Sequence, residues 1–248
     1  LLPEERTKTL KELIDSLNEV ILKIINLIMR FAPFGVFALI TSVIVDVAGD
    51  NPKDSISLFL SLGFYALVVI LGILSLVLVV YPIIVRFITG MPILRFMKGI
   101  FPAQLVAFST SSSAATLPVT KKCVEENLGV TGEVSSFVIP IGATINMDGT
   151  SLYQAVAAVF IAQVFGIDLS FNEMITIITT ATLASIGSAA VPGAGMIMLL
   201  IVLSAVNVPP EGLALIFAVD RPLDMLRTVV NVTGDSTVAM IINKYQKK

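Results

Sequence analysis

Between Asp54 and Arg86 the chain runs without a charged side chain, and residues 174–210 are charge-free again. Roughly 20 apolar residues cross the hydrocarbon core of a bilayer as a helix. In that solvent every backbone N–H and C=O must be paired within the protein, which favours helices. Composition agrees: 56% of residues are hydrophobic and 14% charged, where soluble domains carry about 25% charged residues. The expected fold class is all-α and integral to the membrane, with several passes.

The absences narrow the chemistry. There is no histidine, which removes the usual general base, the commonest metal ligand and the proton switch of neutral pH. The single cysteine, Cys123, excludes a disulfide within the chain and a multi-cysteine metal cluster. Neither a cofactor nor a nucleic-acid partner is expected. The sequence opens Leu-Leu-Pro with no signal peptide ahead of its first span. It is read as the C-terminal portion of a longer protein whose upstream helices are absent.

Apolar runs and their interruptions divide the chain. Residues 1–50 are expected to give a membrane helix, broken up by Lys23, Arg30 and Pro33, and an outer loop. Residues 51–248 are expected to form a second unit, beginning with a span over 55–88. A hairpin over 92–126 follows, because the polar patch at 109–113 separates two arms too short to cross alone, with Pro102 and Pro118 at their ends. Residues 132–165 are a span broken at Asn146, Asp148 and Gly149. Residues 172–208 are a second hairpin, since Gly187, Pro192, Gly193 and Gly195 interrupt its centre. The last span covers 210–245.

Irregular backbone survives at membrane depth only when protein or a wet cavity covers it, so both hairpins are expected to be re-entrant. Their tips resemble each other: Ser112-Ser113-Ala114-Ala115-Thr116-Leu117-Pro118 against Ser188-Ala189-Ala190-Val191-Pro192. Paired interrupted segments point to an inverted-repeat transporter with its site where the repeats meet. Basic residues (Arg86, Arg95, Lys98, Lys121, Lys122, Lys244, Lys247, Lys248) gather on one side of this arrangement. Acidic ones (Asp46, Asp50, Asp54, Asp168, Glu173, Glu211) gather on the other with only Lys53 against them, so both chain ends are expected to be cytoplasmic in a plasma or inner membrane.

The last span carries the chemistry. Asp220, Asp224, Arg227, Asn231 and Asp235 recur at helical spacing and share one narrow face. Three aspartates and one arginine at mid-bilayer cost about 10 kcal/mol together. Packing alone does not justify that cost, so the stripe reads as a binding surface for something charged. Arg227 can grip a carboxylate with its planar fork, and Asp224 one turn away can hold an ammonium. The two can equally neutralise each other as a buried pair, and Asp220 can serve only to brace them. Asn146-Met147-Asp148-Gly149-Thr150 and Asn231 with Asp235 supply carbonyls and carboxylates, hard oxygens for a small cation. Asp148 can also act as a plain acceptor for freed backbone N–H groups.

At these residues the chain resembles the dicarboxylate/amino acid:cation symporter family. The likeness rests on the serine-rich tip, Asn146 to Thr150, Ser185 to Gly195, and Asp224 to Asp235, in family order. It implies an elevator-type homotrimer, with residues 1–50 part of a scaffold and 51–248 the moving transport domain. It also implies that Ser111, Ser112, Ser113, Val191 and Gly195 cover the substrate, while Thr150, Asp224, Arg227, Thr228 and Asn231 contact it. One sodium would use Gly142, Asn146, Asn231 and Asp235; a second Thr144, Met147, Ser185, Ile186 and Ser188; a third Asn146, Asp148 and upstream groups.

Three departures stand out. The family's second arginine is replaced by Ser111 and Met225 at its two usual positions. Gln154 stands where animal glutamate transporters carry a proton-bearing glutamate. The upstream helices that complete the scaffold and the third cation site are not in the sequence. The reading is a secondary transporter importing aspartate or glutamate with sodium. Proton coupling or a C4-dicarboxylate cargo is the alternative on the same fold. A remote one is an intramembrane aspartyl protease built on Asp148 and Asp235.

Overall fold

One continuous helical run spans Pro52 to Thr89, with the charge-free residues 55–85 at its centre. The computed structural model describes residues 52–246 and isolated positions between 8 and 41, all of the latter helical. In it this run comprises α1 (Pro52–Ser75), a π turn (Leu76–Val80) and α2 (Tyr81–Thr89). Pro82 has no N–H to donate and its ring crowds the carbonyl four residues back, so a wider turn just before it relieves the ladder. Its stretch Ile56–Thr89, 34 residues, is long and apolar enough to cross a membrane. Gly90 ends it with φ 79°, a left-handed conformation that costs glycine nothing. The expected outer loop at Asp46 and Asp50 lies outside the described residues, as do Lys247, Lys248 and much of 20–45.

Two helical hairpins and a broken helix follow. The first hairpin is α3 (Ile93–Thr110) and α4 (Ser113–Lys122), the latter extended by a π turn over Cys123–Asn127. Pro102 and Pro118, expected at the ends of its arms, lie inside them instead; the first arm starts at Pro92. Membrane helices tolerate such prolines because neighbours re-satisfy the freed carbonyls. The broken helix is α5 (Gly132–Ile145) and α6 (Asp148–Val164), with Asn146 and Met147 out of helical geometry between them. The second hairpin is α7 (Phe171–Ile186) and α8 (Ala194–Ala205). Ser170 caps α7 reciprocally with Glu173, and those hydrogen bonds hold the exposed Glu173 carboxyl below its usual range.

The last helix, α9 (Leu213–Gln246), has 34 residues and is about 50 Å long. It is the axis of the molecule, packing against α1 through α6. Gln104 on α3 donates to Thr233 on α9 at 3.0 Å, and Asn243 near its end accepts from the Thr131 N–H at 3.0 Å. Tyr65, Ile73, Phe160, Ile161, Leu223 and Val230 belong to one apolar core around it.

The polarity is inverted relative to a soluble protein. Leu60, Phe64, Leu71, Phe101, Phe137, Phe171 and Ile197 are exposed, while Ser112, Thr150, Asp224, Arg227, Asn231 and Asp235 are buried. An apolar exterior suits lipid or neighbouring membrane helices, and a polar interior must then be hydrogen-bonded internally.

Close packing is tightest where α9 begins. A Cβ on Gly212 would overlap Ile161 Cγ2 and sit 3.0 Å from Phe165 Cε2. Gly212→Ala is therefore expected to destabilise the protein by about 1–3 kcal/mol. Gly63→Ala, which meets open space, should leave the thermal midpoint in detergent unchanged or slightly raised.

Candidate functional site

The serine run gives the first hairpin a tight tip. Ser111 takes φ 53°, and Ser112, in extended geometry, starts α4 by accepting from the Ala115 N–H at 3.1 Å. The same Ser112 hydroxyl donates to the Ala190 carbonyl at 2.7 Å, which also accepts the Ala114 N–H at 3.3 Å. The two tips, read from the sequence only as similar to each other, are thus hydrogen-bonded together.

The second tip is anchored to the interior at two further points. Asp224 Oδ2 accepts the Gly193 N–H at 3.0 Å, and Gln154 Nε2 donates to the Gly195 carbonyl at 2.9 Å. Gly195 has no room for a side chain: a Cβ would lie 2.9 Å from Thr150 Cγ2 and 3.5 Å from Arg227 Nη1.

Beneath the tips lies the charged stripe of α9. Arg227 is 1% exposed. Its Nη2 reaches Asp224 Oδ1 at 2.8 Å and Asp220 Oδ1 at 3.2 Å. The second contact is an ion pair by distance without hydrogen-bond geometry, since Asp220 Oδ1 has no hydrogen-bond partner. The guanidinium lies 3.7 Å from the centre of the Tyr153 ring. Asp224 and Arg227 thus pair with each other, and Asp220 stands beside them at ion-pair distance. Yet Arg227 Nε and Nη1 are buried without hydrogen-bond partners. A buried guanidinium with spare donors fits an additional carboxylate.

The break between α5 and α6 meets α9 one and two turns further on. Asn146 Nδ2 donates to Asp235 Oδ1 at 3.0 Å. The Gly149 N–H donates to Asn231 Oδ1 at 2.9 Å, and Asn231 Nδ2 to Thr150 Oγ1 at 3.4 Å. Gly142 lies flush against the Asp235 carboxylate, where any Cβ would collide with it. Tyr81 donates its hydroxyl to Asp148 Oδ2 at 2.5 Å.

Gly142, Asn146, Asn231 and Asp235 are thus drawn around one break, and Asp148 flanks it from the exposed side. Thr150, Asp224, Arg227 and Thr228 are buried along the stripe, with the Thr228 hydroxyl donating to the Asp224 carbonyl at 2.9 Å. Ser111 and Ser113 are buried and Val191 half-buried at the tips. The group expected for a second sodium is less gathered. Met147, Ser185 and Ser188 are buried, but Thr144 and Ile186 are exposed, and the Thr144 hydroxyl donates to Ile141 of its own helix. Among the described residues no hydrogen bond joins 144–147 to 185–188. Sequence reading missed Tyr81 and Tyr153. The signals were there: Tyr81 precedes the one proline of an otherwise charge-free span, and Tyr153 lies one helical turn after Thr150.

This is a helical membrane fold holding a buried charged site, the build of a transporter. The sequence profile of the sodium:dicarboxylate symporter family matches residues 2–245. The mouse protein "Excitatory amino acid transporter 1" is 46% identical over 239 residues, 96% of this chain and 43% of its own length. "Excitatory amino acid transporter" of Caenorhabditis elegans is 46% identical over 231 residues, and mouse "Excitatory amino acid transporter 2" 44% over 243. The chain belongs to the sodium:dicarboxylate symporter family. It spans less than half the length of these curated relatives. The family transports and does not catalyse, so the aspartyl protease reading falls. The geometry agrees, since Asp148 and Asp235 each have their own partner, Tyr81 and Asn146.

The stacking of Arg227 on Tyr153 gives a test independent of transport. A desolvated cation–π contact is worth about 2 kcal/mol. Tyr153→Leu should lower the thermal midpoint of the purified protein accordingly, while Tyr153→Phe, which keeps the ring, should not.

Proposed function

We propose that this chain forms the ion- and substrate-binding part of a secondary transporter that imports an acidic amino acid, aspartate or glutamate, with sodium. The observation that carries this reading is the buried Arg227, with two unpartnered nitrogens, beside Asp224 and beneath two joined hairpin tips. Arg227 grips the side-chain carboxylate and Asp224 the amino group. Ser111, Ser112, Ser113, Val191 and Gly195 close over the ligand, while Thr150, Thr228 and Asn231 line it. The names of the relatives, excitatory amino acid transporters, support an acidic cargo.

The cation chemistry follows from the donor set. Backbone carbonyls, the side-chain amide oxygens of Asn146 and Asn231 and the Asp235 carboxylate, grouped with Gly142, are hard oxygens suited to sodium. Thr144, Met147, Ser185, Ile186 and Ser188 form a second candidate group, and Asn146 with Asp148 part of a third. Tyr81, bonded to Asp148, belongs beside the third. In the proposed working form the hairpins are re-entrant and residues 51–248 act as the mobile domain of an elevator. Residues 1–50 join a scaffold in a homotrimer, and both chain ends are cytoplasmic. The exposed apolar faces of α1, α3 and α7 are consistent with lipid and scaffold neighbours.

Uptake of labelled L-aspartate by the full-length protein tests the cargo. Loss of a hydrogen-bonded charge costs about 1.5–3 kcal/mol, so Arg227→Ala and Asp224→Ala should each reduce apparent affinity about ten- to a hundredfold. Unchanged acidic amino acid uptake in both variants would sink the proposal. A C4-dicarboxylate cargo stays in contention for a specific reason. Asp224 already accepts from Arg227 and from the Gly193 N–H, so a ligand without an amino group does not strand it. Competition of aspartate uptake by succinate separates the two cargoes.

Coupling is tested by calorimetry on the full-length protein in sodium and in choline at two pH values. Aspartate binding is expected in sodium alone, with the sodium dependence weakened by Asp235→Asn. Binding that persists in choline and follows pH would replace sodium with the proton.

A further inference from the structure

At the end of the molecule remote from the hairpin tips, α2, α3 and α9 converge on the turn at Gly90. Two adjoining grooves of about 400 and 590 Å³ open there, sharing Pro92 and Arg95 in their walls. Arg95 and Lys244 line the first, and Arg95 and Lys98 the second; neither has an acidic residue in its lining. Arg86 and Lys244 stand at the same turn, donating to the Gly90 and Ile88 carbonyls, neutral partners that leave both charges uncompensated. Among the described residues none of these four basic side chains has an ion-pair partner, although Lys121 and Lys122 pair with Glu125 and Glu126. The first turn of α3 carries no acidic side chain, so Arg95 and Lys98 add to the positive end of the helix instead of offsetting it.

The surroundings of this charge are apolar. Phe87 is 83% exposed and Leu94 66% exposed, one on each side of the turn. A soluble anion gains nothing from those two side chains. A lipid gains twice, with its phosphate on the basic groove and its acyl chain along Phe87 and Leu94.

We propose that this groove binds the headgroup of an anionic phospholipid, with Arg95, Lys98 and Lys244 on the phosphate and Phe87 and Leu94 against the chain. The bound lipid ties the α2–α3 turn to the end of α9. The site requires only that the chain sits in a bilayer, so it stands or falls separately from the identity of the transported substrate.

The test is native mass spectrometry of the full-length protein extracted from bilayers of phosphatidylcholine and phosphatidylglycerol. Each basic residue near an anionic surface is worth about a fivefold change in affinity. Wild type should retain phosphatidylglycerol over phosphatidylcholine, and Arg95→Gln with Lys98→Gln should weaken that retention about fivefold per charge removed. Lys121→Gln with Lys122→Gln removes the same charge from side chains that are already ion-paired, and should change nothing. Equal losses in both double variants would mean diffuse attraction to a basic face and would overturn the site. Displacement of the lipid by millimolar inorganic phosphate would overturn it as well, showing a soluble-anion site. The thermal midpoint and size-exclusion profile of the same preparations report that the exposed substitutions leave the protein folded.

Discussion

One buried guanidinium organises the interior. Taking Arg227 out of water is costly unless carboxylates and a ring face replace its hydration. Asp224, Asp220 and Tyr153 do so from two helices, α9 and α6. The arrangement fixes more than one side chain. Asp224 is also the acceptor for Gly193, and Gln154, one residue beyond Tyr153, holds Gly195. The position of the second tip is therefore set by the groups that neutralise the arginine. Any ligand carboxylate that claims the free donors of Arg227 acts on the same network.

The second constraint is the low-polarity surroundings, which make backbone breaks expensive. The breaks here are repaired by side chains, one from another helix and one local. Asn231 accepts the freed Gly149 N–H at the start of α6, and Ser112 satisfies the Ala115 N–H at the start of α4. Across the tips, the Ala190 carbonyl takes two donors from the first hairpin. A broken helix repaired this way keeps its freed backbone groups paired inside the protein. Polar backbone can then face a ligand without facing lipid.

The length of the apolar runs revealed the helical class, polar residues inside one run the broken span, and helical spacing the buried stripe, because charge in an apolar run is a strong signal. Asp224, Arg227 and Asn231 were legible for that reason. What pairs with them was not. Tyr153 looks like any aromatic in an apolar helix, and only the crossing of α6 over α9 puts its ring against the guanidinium. Tyr81 was hidden in the same way, although Pro82 beside it marked an irregular turn. The prolines of the first hairpin misled for the opposite reason. Proline is read as a helix end, but Pro102 and Pro118 are carried inside helices whose neighbours cover the damage. Contacts between the tips could not be read either, since similarity of two motifs does not say that they touch.

The placement of Asn231 ties the two halves of the proposed site into one. Its amide oxygen holds the start of α6, its amide nitrogen points to Thr150, and it lies one turn from both Arg227 and Asp235. A cation held, as proposed, among Gly142, Asn146, Asn231 and Asp235 would compete with the Gly149 N–H for that oxygen. A substrate bound, as proposed, at Arg227 and Thr150 would contact the other end of the same side chain. The two occupancies then share the orientation of one amide and the geometry of one helix start. In the proposed working form, ion and substrate binding would be coupled through Asn231, since moving either end of that side chain moves both.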